Sequence, residues 1–362
     1  MPEWRAEQRG RVVASRSAIG VNIGTTSVRA AEISVHSGSL RLDRFGQVPL
    51  PVGAVLDGEV IDTQAVAVAL RQLWKSAKFG SRKVILGVSN QRVLVRQVEL
   101  PVMPDDERRS SLRFQVADLV PMGIDESVLD FIPMQEVDKG GSPMHRGLLV
   151  AASQDTVLGA IAAATAAGLE TVQVDLTPFA VLRSVAVDGR EGRSSMAEAV
   201  VDIGARVTNI VVHDNGVPQF VRVLMMGGDT VTEALIEKAG LSAAEASAVV
   251  RNPHGATRVD PLIVERVLAA SISSLVDEVR TSVDYFLASG SGSGLSRLVL
   301  TGGGSRLPQL AERLAAGVRA PVVQGTPFAA LDTSRTPLTP DQLSFIEPMA
   351  AVPVGLAMGG LS

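Results

Sequence analysis

Cysteine is absent from the 362 residues. That excludes a disulfide framework, a thiolate zinc site and a cysteine nucleophile, and it suits a reducing compartment. Aromatic residues are only 3% of the chain, with two Trp and one Tyr. Core volume must come from aliphatic side chains, and recognition of bases or sugars by stacking is disfavoured. No charge of one sign dominates: 34 Lys+Arg against 38 Asp+Glu leave a net charge of −4, which excludes a chain built as a basic nucleic-acid binder. Long apolar runs are missing too. The most apolar tracts, 147–169 and 344–362, are broken by Ser153, Gln154, Asp155 and Thr165 in the first and by Glu347, Pro348 and Pro353 in the second. Neither supplies the roughly 20 apolar residues of a membrane span, so a soluble protein is expected. Residues 1–17 are polar and carry Arg5, Arg9, Arg11 and Arg16, with no apolar stretch behind them of the signal-peptide kind. They are expected to form a disordered, solvated tail.

The chain is 46% apolar, and its length predicts about two or three domains. Two segments share a plan: Asn22-Ile-Gly-Thr-Thr-Ser27 and Asp202-Ile-Gly-Ala-Arg-Val-Thr208. Each reads as an apolar strand, a turn opened by glycine (Gly24, Gly204) and a second strand. Each then turns again, at His36-Ser-Gly-Ser39 and at Asp214-Asn-Gly216, into a third strand. Asn215-Gly216 is a strong two-residue hairpin signal. The copies are too far apart for a solenoid repeat, so two related domains are expected.

Residues 83–100 alternate as strands, and Pro104 opens a helix with acids in its first turn. That helix is expected to carry Leu112, Val116, Leu119 and Val120 on one side. Residues 127–137 and 147–152 read as strands joined by a loop at 138–143. The Ala-rich stretch 156–167 reads as a helix stopped at Gly168. Asp260-Pro261 starts a long helix with Leu268, Ile272, Leu275, Val276, Val279, Val283 and Phe286 at helical spacing. A Ser/Gly linker at 289–294, a strand at 298–300 and a helix around 308–316 follow. The sum is an α/β protein with mixed sheets in two halves.

Three motifs offer chemistry. Gly24-Thr25-Thr26 presents backbone N–H groups and hydroxyls to a phosphate, or is simply a tight hairpin. Gly204, Arg206 and Thr208 repeat the arrangement, and two such hairpins facing one cleft would hold a polyphosphate from both sides. Asp202 would supply an oxygen to a Mg²⁺ shell. Gly302, Gly303 and Gly304, followed by Arg306, end a strand and let a flat ligand approach the backbone; alone they are a strand-to-helix turn. Gly227-Gly228-Asp229 is another close approach, or a helix start capped by Asp229. The four histidines have no partner at ligand spacing, and no metal beyond Mg²⁺ is expected. No nucleophile elbow of the G-x-S-x-G kind is present.

In this order the three motifs resemble the actin/Hsp70/sugar-kinase ATPase superfamily, as first phosphate hairpin, second phosphate hairpin and adenosine loop. The resemblance is closer to the PilM family of actin-like type IV pilus assembly proteins, related to the cell-division protein FtsA. It is carried by Ala117-Asp-Leu-Val-Pro-Met122, Val128-Leu-Asp-Phe131, Ala167–Arg183, Phe220-Val-Arg222, Gly227-Gly-Asp229, Glu278-Val-Arg280 with Asp284-Tyr-Phe286, and Gly355-Leu-Ala357, and it covers about 18–360.

The resemblance implies a duplicated RNase H-like, actin-like fold with four subdomains. Subdomain 1A would take 18–80 and 156–190, a small α/β insert (1C-like) 81–155, subdomain 2A 195–227 and 295–362, and a mainly helical 2B 228–294. ATP or ADP with Mg²⁺ would sit between the halves, held by Gly24, Thr25, Thr26, Gly204, Arg206, Thr208, Gly228, Gly302, Gly303, Gly304 and Arg306, with Asp202 and Asn22 toward the metal. The partner implied is a PilN-like single-pass inner-membrane protein, bound through its cytoplasmic N-terminal peptide in a groove between 1A and the insert. Pilus motor or platform proteins and further copies of the chain are other implied contacts, placing it in the cytoplasm beneath the membrane. Two departures bear on turnover. Asn22 stands where the family usually has an acid. Arg251, after Ala244-Glu-Ala, is the one cation where the family often offers lysine near adenine. Binding with weak or absent hydrolysis fits better than vigorous ATPase activity. An FtsA-like division protein is the first rival, disfavoured because the chain stops at Met358–Ser362 without a membrane-targeting helix after a linker. A small-molecule kinase is the second; it needs a catalytic carboxylate, for which Asp175 is the candidate, though Asp175 equally reads as a helix cap. A chaperone lacks a substrate domain here, and a degenerate scaffold that binds no nucleotide is the plainest alternative.

Overall fold

A computed structural model describes residues 17–186, 196–252, 258–289 and 294–361. The expected tail therefore lies outside the described residues except for Ser17, which opens the first strand, and so does most of the Ser/Gly linker.

The first copy begins as a meander, β1 (Ser17–Ile23), β2 (Ser27–His36) and β3 (Ser39–Pro49), followed by a short hairpin, β4 (Val55–Leu56) and β5 (Glu59–Val60), helix α1 (Thr63–Ala77) and strand β6 (Lys83–Val88). An insert then supplies β7 (Leu94–Pro101), α2 (Asp105–Gln115), β8 (Ser127–Lys139) and β9 (Ser142–Ser153). The chain returns through α3 (Gln154–Ala166) and β10 (Glu170–Leu176) and leaves on α4 (Thr177–Val185). The second copy repeats the meander as β11 (Ala197–Ile203), β12 (Thr208–Asp214) and β13 (Val217–Leu224). Three helices follow: α5 (Gly228–Ala239), α6 (Ala243–Arg251) and α7 (Pro261–Ala288). The chain ends with β14 (Leu295–Thr301), α8 (Leu310–Val318), β15 (Val322–Gln324), β16 (Leu331–Asp332) and α9 (Pro340–Gly359).

The duplication is visible in the pairing. β1 pairs antiparallel with β2 and parallel with β6, and β11 pairs antiparallel with β12 and parallel with β14. The sheet orders are β10-β6-β1-β2-β3-β16 and β13-β12-β11-β14-β15, with β7-β9-β8 a separate sheet. The second turn of each meander puts both central residues in the left-handed region, Ser37 (φ 51°) with Gly38 (φ 83°) and Asn215 (φ 49°) with Gly216 (φ 83°). That is the backbone twist a two-residue hairpin needs.

Each sheet buries its outer face under its own helices. Val21, Val28, Ala30 and Leu86 pack with α1 and α3 residues such as Leu70, Leu73 and Ala163. Val201, Ile203, Ile210 and Leu300 pack with Leu235, Ile272, Leu275 and Leu310 of the second half's helices. Between the sheets lie α4 and α9, whose Val181, Leu182, Ala351, Val352 and Leu356 meet Ile85, Val200, Val211 and Val299 from both sides. At the α4–α9 crossing a Cβ on Gly355 would fall 1.7 Å from the carbonyl oxygen of Ala180. The two helices therefore touch through backbone, and no larger residue fits at 355.

Several expected boundaries move. β6 was expected inside the insert beginning at 81, yet it hydrogen-bonds between β1 and β10 in the six-stranded sheet, so the insert starts after Val88. Likewise β16 pairs with β3, and α9 packs on β1, β2 and α4, so the end of the chain returns to the first half rather than staying with 2A. The loop expected at 138–143 is only a two-residue turn, because β8 and β9 stay paired out to Lys139 and Ser142. α2 ends at Gln115, and Val116, Leu119 and Val120 reach the insert core from the 3-10 turn after it. The apolar tract 147–169 is β9 and α3, and among the described residues no helix is long and apolar enough to cross a membrane.

Candidate functional site

Side-chain alternation aims the two first hairpins at each other. Gly20 of β1 lies against α9, and Ala31 of β2 packs with Ala350 and Val354. Asn22 and Arg29, two residues along, share that face and lie opposite each other across the β1–β2 ladder. In the second sheet Val200, Val211 and Val299 face α4 and α9, so Asp202, Asn209 and Thr301 continue that face; Asp202 pairs with Asn209 on one side and Thr301 on the other. The four positions Asn22, Arg29, Asp202 and Asn209 thus lie on the faces of the two sheets that turn toward α4 and α9.

The turns themselves match. The Gly24 N–H donates to the Ser27 carbonyl (3.1 Å), and the Gly204 N–H to the Val207 carbonyl (2.9 Å). Around Gly204 a cradle is assembled from three elements. The Gly228 and Asp229 N–H groups, opening α5, donate to the carbonyls of Gly204 (3.0 Å) and Ala205 (2.8 Å). Gly302, with φ +86°, donates its N–H to the Pro348 carbonyl, and a Cβ there would fall 2.3 Å from the Ile203 oxygen and 2.7 Å from Asp202 Oδ1. Gly228 lies beside Gly304, and Gly303 beside Met349. Gly204, Gly228, Gly302, Gly303 and Gly304 are therefore brought together. Thr208 is fully buried and its Oγ1 donates to the Met226 carbonyl (2.8 Å), so it fastens the hairpin to the turn before α5. Thr25 is half-buried and Thr26 exposed, with the Thr26 carbonyl held by the Leu50 N–H.

Charge is arranged unevenly. Burial raises Asp202 to about 6, with the Asn209 Nδ2 hydrogen bond (3.2 Å) and the Arg29 charge pulling the other way. Asn209 Oδ1 in turn accepts from Ser89 Oγ (2.5 Å), just past β6, so a polar chain runs from the first sheet to Asp202. Burial lowers Arg29, with Asp202 opposing, and its Nε donates to Gln47 Oε1 (3.0 Å). Asp229 is raised, first by burial and then by Glu233, while Arg206 lowers it.

Three expected site residues are engaged elsewhere. Arg206 pairs with Glu233 on α5 and reaches Asp57 (3.7 Å) in the β4–β5 turn, bridging the halves. Arg306 points at α9, donating to the carbonyls of Ser344 (3.2 Å) and Phe345 (2.6 Å) and stacking on the Phe345 ring. The reason is Pro348, which lacks the N–H that the Ser344 carbonyl would meet in an uninterrupted helix. Asp175 accepts from the Leu176 N–H (2.7 Å) and pairs with Arg183 (3.0 Å), whose Nη1 donates to the Gly355 carbonyl (2.6 Å). It ties α4 to α9, and α4 starts at Leu176 without a side-chain cap. α5 likewise starts without an Asp229 cap; Thr230 Oγ1 accepts from the Gly227 N–H instead. Among the described residues no group of three or more His, Asp or Glu side chains is placed to hold a metal. His213 is buried and lowered by that burial.

Arg29, Asn209 and Ser89 were not anticipated. The register carried a signal for the first two: each follows its partner, Asn22 or Asp202, at the same offset across the same turn. Ser89 carried none, since its contact spans the two sheets.

A sequence profile described as "Type IV pilus assembly protein PilM" matches residues 20–361. This chain belongs to that family. Its fold aligns with a solved structure described as "PilM-PilN type IV pilus biogenesis complex" at TM-score 0.84 and 28% identity, covering 96% of this chain and 99% of that one. More distant likeness of fold extends to the ethanolamine utilization protein EutJ of Carboxydothermus hydrogenoformans (TM-score 0.54, 14% identity, 98% of this chain and 94% of that one). It extends also to MreB 5 of Spiroplasma citri bound to AMPPNP (TM-score 0.50, 11% identity, 95% and 96%). The chain is thus an actin-like α/β protein. Cell division protein FtsA of Streptococcus pneumoniae is 25% identical over 238 residues, and that of Bacillus subtilis 24% over 240. Those matches cover 59% of this chain and 50% and 53% of the relatives, so the chain spans about half the length of the curated relatives it matches.

Proposed function

We propose that this chain is an actin-like, nucleotide-binding scaffold of the type IV pilus assembly platform. In this reading it works at the cytoplasmic face of the inner membrane and holds the cytoplasmic N-terminal peptide of a PilN-like membrane protein. The observation that carries the reading is the near-complete alignment, at 28% identity, with a PilM in complex with PilN. The peptide would dock between the first sheet and the insert that follows β6. Pilus motor or platform proteins and further copies of the chain are natural additional contacts; nucleic acid is not.

ATP or ADP is the ligand we assign to the cleft. Gly24, Thr25 and Thr26 would meet phosphates from one side, and Gly204 with the Gly228 turn from the other. Gly302–Gly304 would back the nucleoside. Arg206 and Arg306 serve instead to join the halves and to complete α9, and Arg29 takes the role of cleft cation. Binding rather than turnover is the reading we favour, because Asp175, the candidate catalytic carboxylate, is bound to Arg183. The residues present fit Mg²⁺ poorly: of the two matched positions only Asp202 is charged, and it faces a guanidinium. The partner assignment is tested by isothermal titration of the full chain with a synthetic peptide of the PilN-like N-terminus, alongside a variant with Ile132→Asp in the insert. Tight binding lost in neither protein would move the peptide off the insert, and no binding to the wild type would remove the assignment.

A further inference from the structure

The two hairpins present the same pair of positions with different charge. Across the second ladder stand Asp202 and Asn209; across the first stand Asn22 and Arg29. Had the first repeated the second, two carboxylates would face the cleft, and carboxylates with phosphate oxygens are what a hydrated Mg²⁺ uses. The acid of the first pair is instead an amide, and its amide is a guanidinium. Between matched positions the cleft holds one negative and one positive charge.

The guanidinium is placed for an anion. Its Nε is fixed by Gln47, and Nη1 lies 3.9 Å from where a Cβ of Gly24 would stand, against the first phosphate turn. Its hydrogen-bonding partner is neutral, and among the described residues it forms no ion pair. Asp202 is close enough to act on it through space only. A half-buried guanidinium whose hydrogen-bonding partner is a neutral amide gains a charge-assisted contact when an anion meets it. Arg also offers several N–H groups in a planar fork, which matches a phosphate edge. Asp202, for its part, has Oδ2 taken by Asn209 and Oδ1 packed toward Gly302.

We infer that the cleft takes its nucleotide as the metal-free polyphosphate, with Arg29 supplying the positive charge that a divalent cation would otherwise bring. The inference rests on the nucleotide reading above and sharpens its ligand. A merely structural Arg29 would leave the usual dependence on Mg²⁺ untouched.

The test is isothermal titration of the full chain with ATP and with ADP, once in excess EDTA and once in excess MgCl₂. The expected dissociation constants agree within about threefold between the two conditions. Arg29→Ala weakens binding in EDTA by more than about tenfold, whereas Arg29→Lys, which keeps the charge, loses less. The double variant Asn22→Asp with Arg29→Asn, which copies the second hairpin's pattern, requires Mg²⁺ for binding. Wild-type binding that appears only with MgCl₂ overturns the inference while leaving the nucleotide reading standing. No binding in either condition overturns both. Thermal melts of each variant verify folding, and if Arg29→Ala does not fold, the wild-type comparison still decides.

Discussion

The two copies of the meander share pairing, register and turn geometry, yet they are held differently. The Gly204 turn is clasped by the opening of α5, by Thr208 and by the backbone of Ile203 against Gly302. The Gly24 turn has its own internal bond and the Leu50 contact. One half of the cleft is a rigid backbone cradle. The other supplies hydroxyls on a less encumbered turn and a cation from β2. A duplicated unit can therefore divide its labour, with shape supplied by one copy and charge by the other.

The largest effect should separate glycines of the two sides. Gly302→Ala forces a side chain into the left-handed region and against the Ile203 oxygen at 2.3 Å, whereas a Cβ on Gly24 would find its nearest neighbour, the Ser27 oxygen, at 3.3 Å. Urea denaturation should show a loss of about 2–4 kcal/mol for Gly302→Ala and under about 1 kcal/mol for Gly24→Ala. Equal losses would abolish the contrast between a fixed and a less encumbered turn.

Asp202 sets the next contrast, with Asn22. Its folded value is raised from 3.8 to about 6, mainly by burial. The folded state then binds more protons than the unfolded chain between those values, so stability falls as pH rises through that window. Asp202→Asn removes this penalty. The variant should be more stable than wild type above pH 6, by on the order of 2–3 kcal/mol, and the difference should fade toward pH 4. Denaturant titrations at several pH values check the sign; a variant that is less stable at neutral pH would show that the carboxylate is held by something stronger than Asn209.

The cross-cleft pair should matter least. Arg206 and Asp57 are 35% and 50% exposed and 3.7 Å apart, so a double-mutant cycle on Arg206→Ala and Asp57→Ala should give a coupling of about 0.5 kcal/mol. A coupling well above 1 kcal/mol would make this pair a principal tie between the halves, a role otherwise carried by α4 and α9.

Local chemistry was legible and long-range placement was not. The Asn215-Gly216 turn, the Asp260 cap accepting from Leu262, the helix stop at Gly168 and the glycines that converge on the cleft all follow from what neighbouring residues permit. The destination of Arg306 depends on Pro348, far along the chain, and that of Thr208 on Met226 across a neighbouring strand. β6 and α9 were assigned to the wrong neighbours because an apolar strand or an evenly apolar helix does not specify which sheet it joins. Asn22 was legible as an amide where the family usually has an acid, but its partner Arg29, the counterpart of Asn209 beside Asp202, appears only in the register.

The central claim is that the gap between the two hairpins is a nucleotide site. The direct measurement is the melting temperature of the full chain titrated with ATP and with ADP into the millimolar range. A ligand that binds only the folded state at a hundredfold excess over Kd stabilises it by about 2.7 kcal/mol, which for a chain of this size is a rise of several degrees. The account predicts that rise for both nucleotides in the wild type and its loss in Gly228→Asp, which puts a carboxylate where phosphate would lie. A wild-type melting temperature unmoved by either nucleotide would contradict it.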